Sequence, residues 1–227
     1  MLVLPAVSLA LSLALTWATL RRYLARRRPH ELVWSATFAS FALAAGCEVL
    51  GGLAAWTPLL ARLYYLAGAT LSVGYLAVGT LYLLAPRELA FAGLVVTLVQ
   101  STAAVFLVWQ APVDPDALAT RGWAALEKRG ELSALAIWIN SLGTLIVASG
   151  ALGSAWSLTQ GRGPAGRAVG VALIGIGTLV VALGGTLTRF GRHEYLYAAM
   201  APGLLLIFGG YLLANSAPRP VAVEDLG

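Results

Sequence analysis

Residues 32–53 read LVWSATFASFALAAGCEVLGGL, residues 54–58 read AAWTP, and residues 59–84 read LLARLYYLAGATLSVGYLAVGTLYLL. Two long apolar runs are thus joined by a short turn. A helix needs about 20 apolar residues to cross the hydrocarbon core of a bilayer, whereas a barrel strand needs about 10. Inside lipid every backbone N–H and C=O must find its partner within the protein, so only helices or closed barrels cross. Runs of this length exclude strands. The stretch is a membrane hairpin of two helices.

Working outward, the same pattern recurs along the chain. Windows long enough to cross are Leu2–Leu20, Leu32–Leu53, Leu59–Leu84, Leu89–Trp109, Leu132–Leu158, Ala168–Leu187 and Tyr195–Ala214. Hydrophobic residues make up 59% of the 227 positions and charged residues 11%, against about 25% charged in soluble domains. The expected fold is all-α: a polytopic integral membrane protein with a seven-helix bundle over residues 1–214 and a short tail, 215–227. A multi-pass protein of a bacterial-type cytoplasmic membrane is the localisation this implies.

Orientation follows from the arginines. Residues 1–20 lack a basic leader and a small-residue cleavage site, which predicts a retained first helix rather than a signal peptide. Arg21, Arg22, Arg26, Arg27 and Arg28 come directly after it. Cytoplasmic loops carry the excess of Lys and Arg, so the N-terminus is expected outside and the tail in the cytoplasm. The same five arginines are candidate ligands for anionic lipid headgroups at the cytoplasmic face; the simpler reading makes them a topology determinant alone. Basic residues elsewhere are spread among short loops, which gives no footprint for nucleic acid.

The long loop, Gln110–Gly130, predicts a short helix over about 115–128. Asp114 is placed as its N-cap and Pro115 as its first residue. Trp123 is expected at headgroup level, anchoring this helix in the outer interface; the alternative is a lid over an outer cavity.

Candidate site residues come from polar groups inside the apolar windows. Charged side chains in hydrocarbon are costly and mark functional sites. Glu48 is such a carboxylate, and its helical neighbours Phe41, Ala44, Ala45, Gly51, Gly52 and Ala55 include five small residues, which let another helix approach. Arg62 opens the next window and is a candidate ion-pair partner. Tyr64, Tyr75 and Tyr82 lie 11 and 7 residues apart, which at 100° per residue aligns them within about 20° as one wall of a pocket or as core packing. Gln100 and Asn140 are further polar candidates, with interhelical hydrogen bonding as the default role. Arg189 and His193 sit in the last outer turn with Arg192 and Glu194, where they suggest a polar vestibule; the simpler reading is a solvated loop. Gly170, Gly177 and Gly184 recur every seven residues and predict a close helix–helix seam.

Absences narrow the chemistry. The single cysteine, Cys47, excludes an internal disulfide, and the single lysine, Lys128, lies outside every window and cannot form a retinal-type Schiff base there. Two histidines, His30 and His193, are too few and too distant for an all-His metal site. There is no HExxH and no GxSxG. No cofactor or metal is expected, and catalysis is the least supported class. The functional expectation is a small membrane carrier or channel component that binds an ion or small solute in an outward-opening polar pocket. The alternative is a receptor-like or accessory subunit that binds an apolar ligand, a lipid or a partner membrane protein without transport or catalysis. Candidate partners beyond the bilayer are a small-molecule ligand, a second copy of the chain and another membrane subunit.

Overall fold

The computed structural model describes residues 2–127, 130–157, 160, 165–189 and 194–216. Its α-helices are α1 (Val3–Arg26), α2 (Pro29–Leu53), α3 (Pro58–Tyr64), α4 (Ser72–Leu84), α5 (Arg87–Gln110), α6 (Pro115–Arg121), α7 (Gly130–Ser157), α8 (Ala165–Arg189) and α9 (Glu194–Ser216). A π-helical segment, Tyr65–Leu71, joins α3 to α4 into one rod, and a 3₁₀ turn, Gly122–Ala125, follows α6. The described residues contain no strand, only an isolated bridge between Val113 and Leu126. Six helices are long and apolar enough to cross a membrane: α1, α2, the rod Pro58–Leu84, α5, α7, and Ala168–Gly185 within α8. The apolar part of α9, Ala198–Ala214, is shorter.

Helix ends obey local chemistry. Arginine is a good helix former, so α1 runs beyond its apolar window to Arg26. Arg27 then takes a left-handed conformation (φ 52°) and its N–H donates to Tyr23 O at 2.7 Å. Pro29 opens α2 at once, as its fixed φ and missing N–H favour. The arginine stretch is therefore two helix ends and a two-residue turn rather than a loop. Thr57 caps α3 by accepting from Leu60 N at 3.2 Å. Asp114 Oδ1 accepts from Asp116 N at 3.0 Å and Ala117 N at 3.2 Å, the cap expected from its position before Pro115.

The helices form a ring in which each touches the next: α1 with α2, α2 with α4, α4 with α7, α7 with α8, α8 with α9, and α9 back to α1. α5 lies outside it, against α4, α7 and the π segment. At the end of the ring that carries the α1–α2 turn, the arginine end, the core joins Leu15, Phe38, Phe41, Leu76, Val147, Leu204, Ile207 and Tyr211. At the opposite, loop end a second core joins Ala44, Cys47, Tyr64, Tyr65, Val108, Leu118, Trp123, Leu126 and Leu132.

Small residues set the tightest crossings. A Cβ on Gly170 would lie 2.7 Å from Gly210 O, and one on Gly177 would lie 2.6 Å from Gly203 O. Backbone meets backbone there, with Ile207, Val181 and Leu173 packed alongside, so small residues let α8 and α9 approach closely and gain dispersion. The glycine repeat expected from sequence is this seam.

Candidate functional site

The loop end carries the intramembrane charge. Glu48 lies on the α2 face that meets the rod: one turn before it, Ala44 Cβ lies 3.0 Å from where a Cβ on Gly68 would stand, and one turn after it Gly51 lies under the Trp56 indole. Its Oε2 is buried. The carboxylate thus points into the bundle, as its small-residue neighbours implied. Arg62 is half-buried, and its Nη2 donates to Ala111 O at 3.2 Å. That bond ties the rod to the start of the long loop.

The loop folds back over this end of the bundle. Gly122, at φ +55°, ends α6 and turns the chain. Asp114 N donates to Ala125 O at 3.1 Å and Glu127 N donates to Pro112 O at 2.9 Å, closing the loop on itself. Trp123 is only 8% exposed. Its ring stacks on Tyr64 at 5.0 Å, and Tyr64 meets Trp56 edge-on at 5.9 Å. This corrects the expectation of a continuous interfacial helix over 115–128 with Trp123 among the headgroups. A stacked aromatic partner and the apolar neighbours Leu118 and Leu126 bury the indole against the bundle, so the segment packs over this end like a lid rather than lying flat in the interface.

Below the lid the rod changes its winding. Over Tyr65–Leu71 the π-helical winding frees backbone carbonyls from the ordinary ladder, and such irregularity persists at membrane depth only where side chains answer it. They do so here. Ser72 Oγ donates to Ala67 O at 2.6 Å, and Thr70 Oγ1 to Leu66 O at 2.5 Å. From α7, Asn140 Nδ2 lies 2.6 Å from Ala69 O and 2.7 Å from Ala136 O, donating one proton to each. Asn140 is therefore a clamp between α7 and the π segment.

The altered winding also breaks the expected tyrosine stripe. Counting 100° per residue from Tyr64 to Tyr75 assumes an unbroken α-helix, and the π segment lies between them. Tyr64 belongs to the aromatic group under the lid. Tyr75 faces α5, where Ser101 Oγ lies 3.1 Å from its hydroxyl and 2.6 Å from Thr97 O. Tyr82 is half-buried nearer the arginine end, and Gln100 is half-buried on α5. Of the predicted site residues, the structure brings Glu48, Arg62, Tyr64 and Asn140 to one end of the bundle. Tyr75, Tyr82 and Gln100 lie away from that group. Arg189 closes α8, but its side chain and all of His193 lie outside the described residues.

At the arginine end the structure reveals a cluster that sequence reasoning passed over. Glu31 is 4% exposed, deeper than Arg22 beside it. Arg22 Nη1 and His30 Nε2 each lie 3.8 Å from Glu31 Oε1. The Arg22 guanidinium also sits over the Tyr211 ring of α9 at 5.1 Å. His30 meets Trp34 edge-on, and Trp34 Nε1 donates to Leu76 O of α4 at 3.4 Å. The cluster around this acid thus links four helices: Arg22 of α1 with Glu31 of α2 and Tyr211 of α9, and Trp34 of α2 with Leu76 of α4. The available signal was Pro29: as the first residue of a helix it places Glu31 in the first turn, on a helix face rather than in a loop.

Among the described residues no group of three His, Cys, Asp or Glu side chains gathers as a metal site. Concave patches lined by Thr102, Val105, Phe106, Trp109 and Gln110 on α5, and by Leu152, Gly153, Ala155 and Trp156 on α7, are open apolar grooves on single helix faces. Comparison with protein-family models, curated proteins and solved structures finds no match.

Proposed function

We propose that this chain is a small membrane carrier or channel component that binds an ion or small solute in the loop-end half of the bundle, with Glu48 as the principal ligand. The observation that carries the proposal is a carboxylate whose Oε2 is buried within an apolar bundle. Such a group is costly to keep in hydrocarbon and marks a transport or binding site. Two features around it fit movement. The π segment beside it is a form of winding frequent at functional sites, and the long loop is tied to the rod through Arg62.

The reading takes α9 as a seventh crossing beside the six long apolar helices. Seven crossings and the positive-inside rule put the N-terminus and the lid outside and the arginine end in the cytoplasm. Solute then enters from outside when the lid lifts. Arg62 and Tyr64 border the entrance, and Asn140 sets the position of the π segment.

The test is flux in proteoliposomes. Vesicles containing the full chain and an internal pH- or cation-sensitive dye receive gradients of protons, Na⁺ and K⁺ in turn. The expected result is faster dissipation of at least one gradient than in empty vesicles, abolished by Glu48→Gln. Equal flux in wild type and Glu48→Gln would refute the assignment of Glu48. Flux equal to empty vesicles for every gradient would refute the carrier reading and transfer the chain to the accessory class.

A further inference from the structure

The segment Arg21–Arg28 holds five arginines within eight positions, and the structure divides them. Arg22 is half-buried and turned inward, 3.8 Å from Glu31 Oε1 and stacked on Tyr211. Arg21, Arg26, Arg27 and Arg28 are exposed. Glu31, the acidic residue nearest in sequence, is buried against Arg22 and His30. It is the 3.8 Å partner of the inward arginine, and its field also reaches Arg26 and Arg28; one buried carboxylate against five arginines still leaves the turn with a net positive charge.

The geometry of the turn keeps these four together. Arg26 ends α1, Arg27 is left-handed at φ 52°, and Arg28 is extended ahead of Pro29. The Arg27 guanidinium lies over the Tyr23 ring at 5.6 Å, so part of its conformational freedom is already spent against an aromatic of the same helix. The apolar run of α1 ends at Leu20 and that of α2 begins at Leu32. The intervening arginines therefore stand at the depth of the lipid headgroups rather than in bulk water. A guanidinium presents a planar fork that matches two phosphate oxygens at once.

We propose that the α1–α2 turn is a binding site for anionic phospholipid headgroups, with Arg21, Arg26, Arg27 and Arg28 as its ligands and Arg22 withheld from it by Glu31. The proposal rests on the multi-pass membrane assignment and is independent of what binds near Glu48.

The experiment is lipid competition on the purified full chain in nanodiscs of phosphatidylglycerol and phosphatidylcholine, with retained lipid counted by native mass spectrometry. Because the same arginines would also direct insertion in cells, variants are compared after reconstitution, where both faces meet the same lipid mixture. Wild type is expected to retain phosphatidylglycerol in preference to phosphatidylcholine. A basic residue near a charged leaflet contributes about fivefold in affinity, so Arg→Gln at positions 21, 26, 27 and 28 together should lower the preference at least about tenfold. Replacing Arg22 and Glu31 together by Gln, which removes the inward pair without changing the net charge, should leave it unchanged. On wild type alone, 1 M NaCl should remove most of the preference, since screening then acts within about 3 Å. The proposal is overturned if wild type shows no preference, if the fourfold variant keeps it, if the paired Arg22→Gln/Glu31→Gln variant loses it equally, or if it survives high salt.

Discussion

Gly177 sits where α8 meets α9, and replacing it by alanine tests that packing directly. An added Cβ would lie 2.6 Å from Gly203 O, 2.9 Å from Ile207 Cγ1 and 3.0 Å from Ile207 N. Two of these three atoms are α9 backbone, so no side-chain rotation relieves them. Ordinary contact starts at 3.4 Å, which requires α9 to withdraw by about 0.8 Å at this point. The same withdrawal loosens Gly170 against Gly210 two turns away. Overpacking a close interface costs about 1–3 kcal/mol, while alanine in place of glycine inside a helix returns about 1 kcal/mol. The control is on the same helix. At Gly185 an added Cβ meets nothing within 4 Å among the described residues, so Gly185→Ala should be neutral or stabilising by up to about 1 kcal/mol. The difference between the two variants isolates the steric part, about 1–3 kcal/mol. Cys47 is the chain's single cysteine and is buried, so a thiol-reactive dye reports unfolding in mild detergent without an added label. Gly177→Ala should melt below wild type and Gly185→Ala at or above it. Equal melting of the two variants would refute the close-packing argument.

The dye assay serves two further predictions. Asn140→Leu removes both donors to the Ala69 and Ala136 carbonyls and should cost about 1–2 kcal/mol. Gln100→Leu, whose side chain makes no hydrogen bond among the described residues, should stay within about 0.5 kcal/mol of wild type; equal losses at both positions would reject Asn140 as a clamp. Arg22→Gln removes the nearest cation from the buried Glu31, leaving His30 and the more distant Arg26 and Arg28, and should cost about 1–3 kcal/mol. Adding Glu31→Gln should recover much of that loss, because neighbours that share an interaction are not additive. Strict additivity in this double-mutant cycle would show that the two groups are not coupled.

Much of the site was readable in part. The inward direction of Glu48 followed from Ala44, Ala45 and Gly51, since small residues on one helix face admit a neighbour and carry along whatever shares that face. Asp114 before Pro115 gave its cap by local chemistry alone. The lid was misplaced because a tryptophan beside a membrane satisfies interfacial and core environments equally well by composition. Only the presence of Tyr64 within stacking distance decides between them. Tyr75 was misassigned for a different reason: angular counting along a helix holds only while the winding stays α-helical.

The sequence by itself determined that the chain is helical and built of long apolar membrane-crossing segments, roughly where those segments lie, and that glycines on α8 make a close-packing face. These are properties of single segments, set by apolar length, caps and spacing. Only the tertiary structure decided the ring order, the π-helical break at Tyr65–Leu71, the fold-back of the long loop over the bundle, and the burial of Glu31. In lipid there is no hydrophobic force to sort one apolar helix face from another. The choice falls to a few polar bonds and close contacts between residues distant in sequence, such as Asn140 with Ala69 and Arg22 with Glu31.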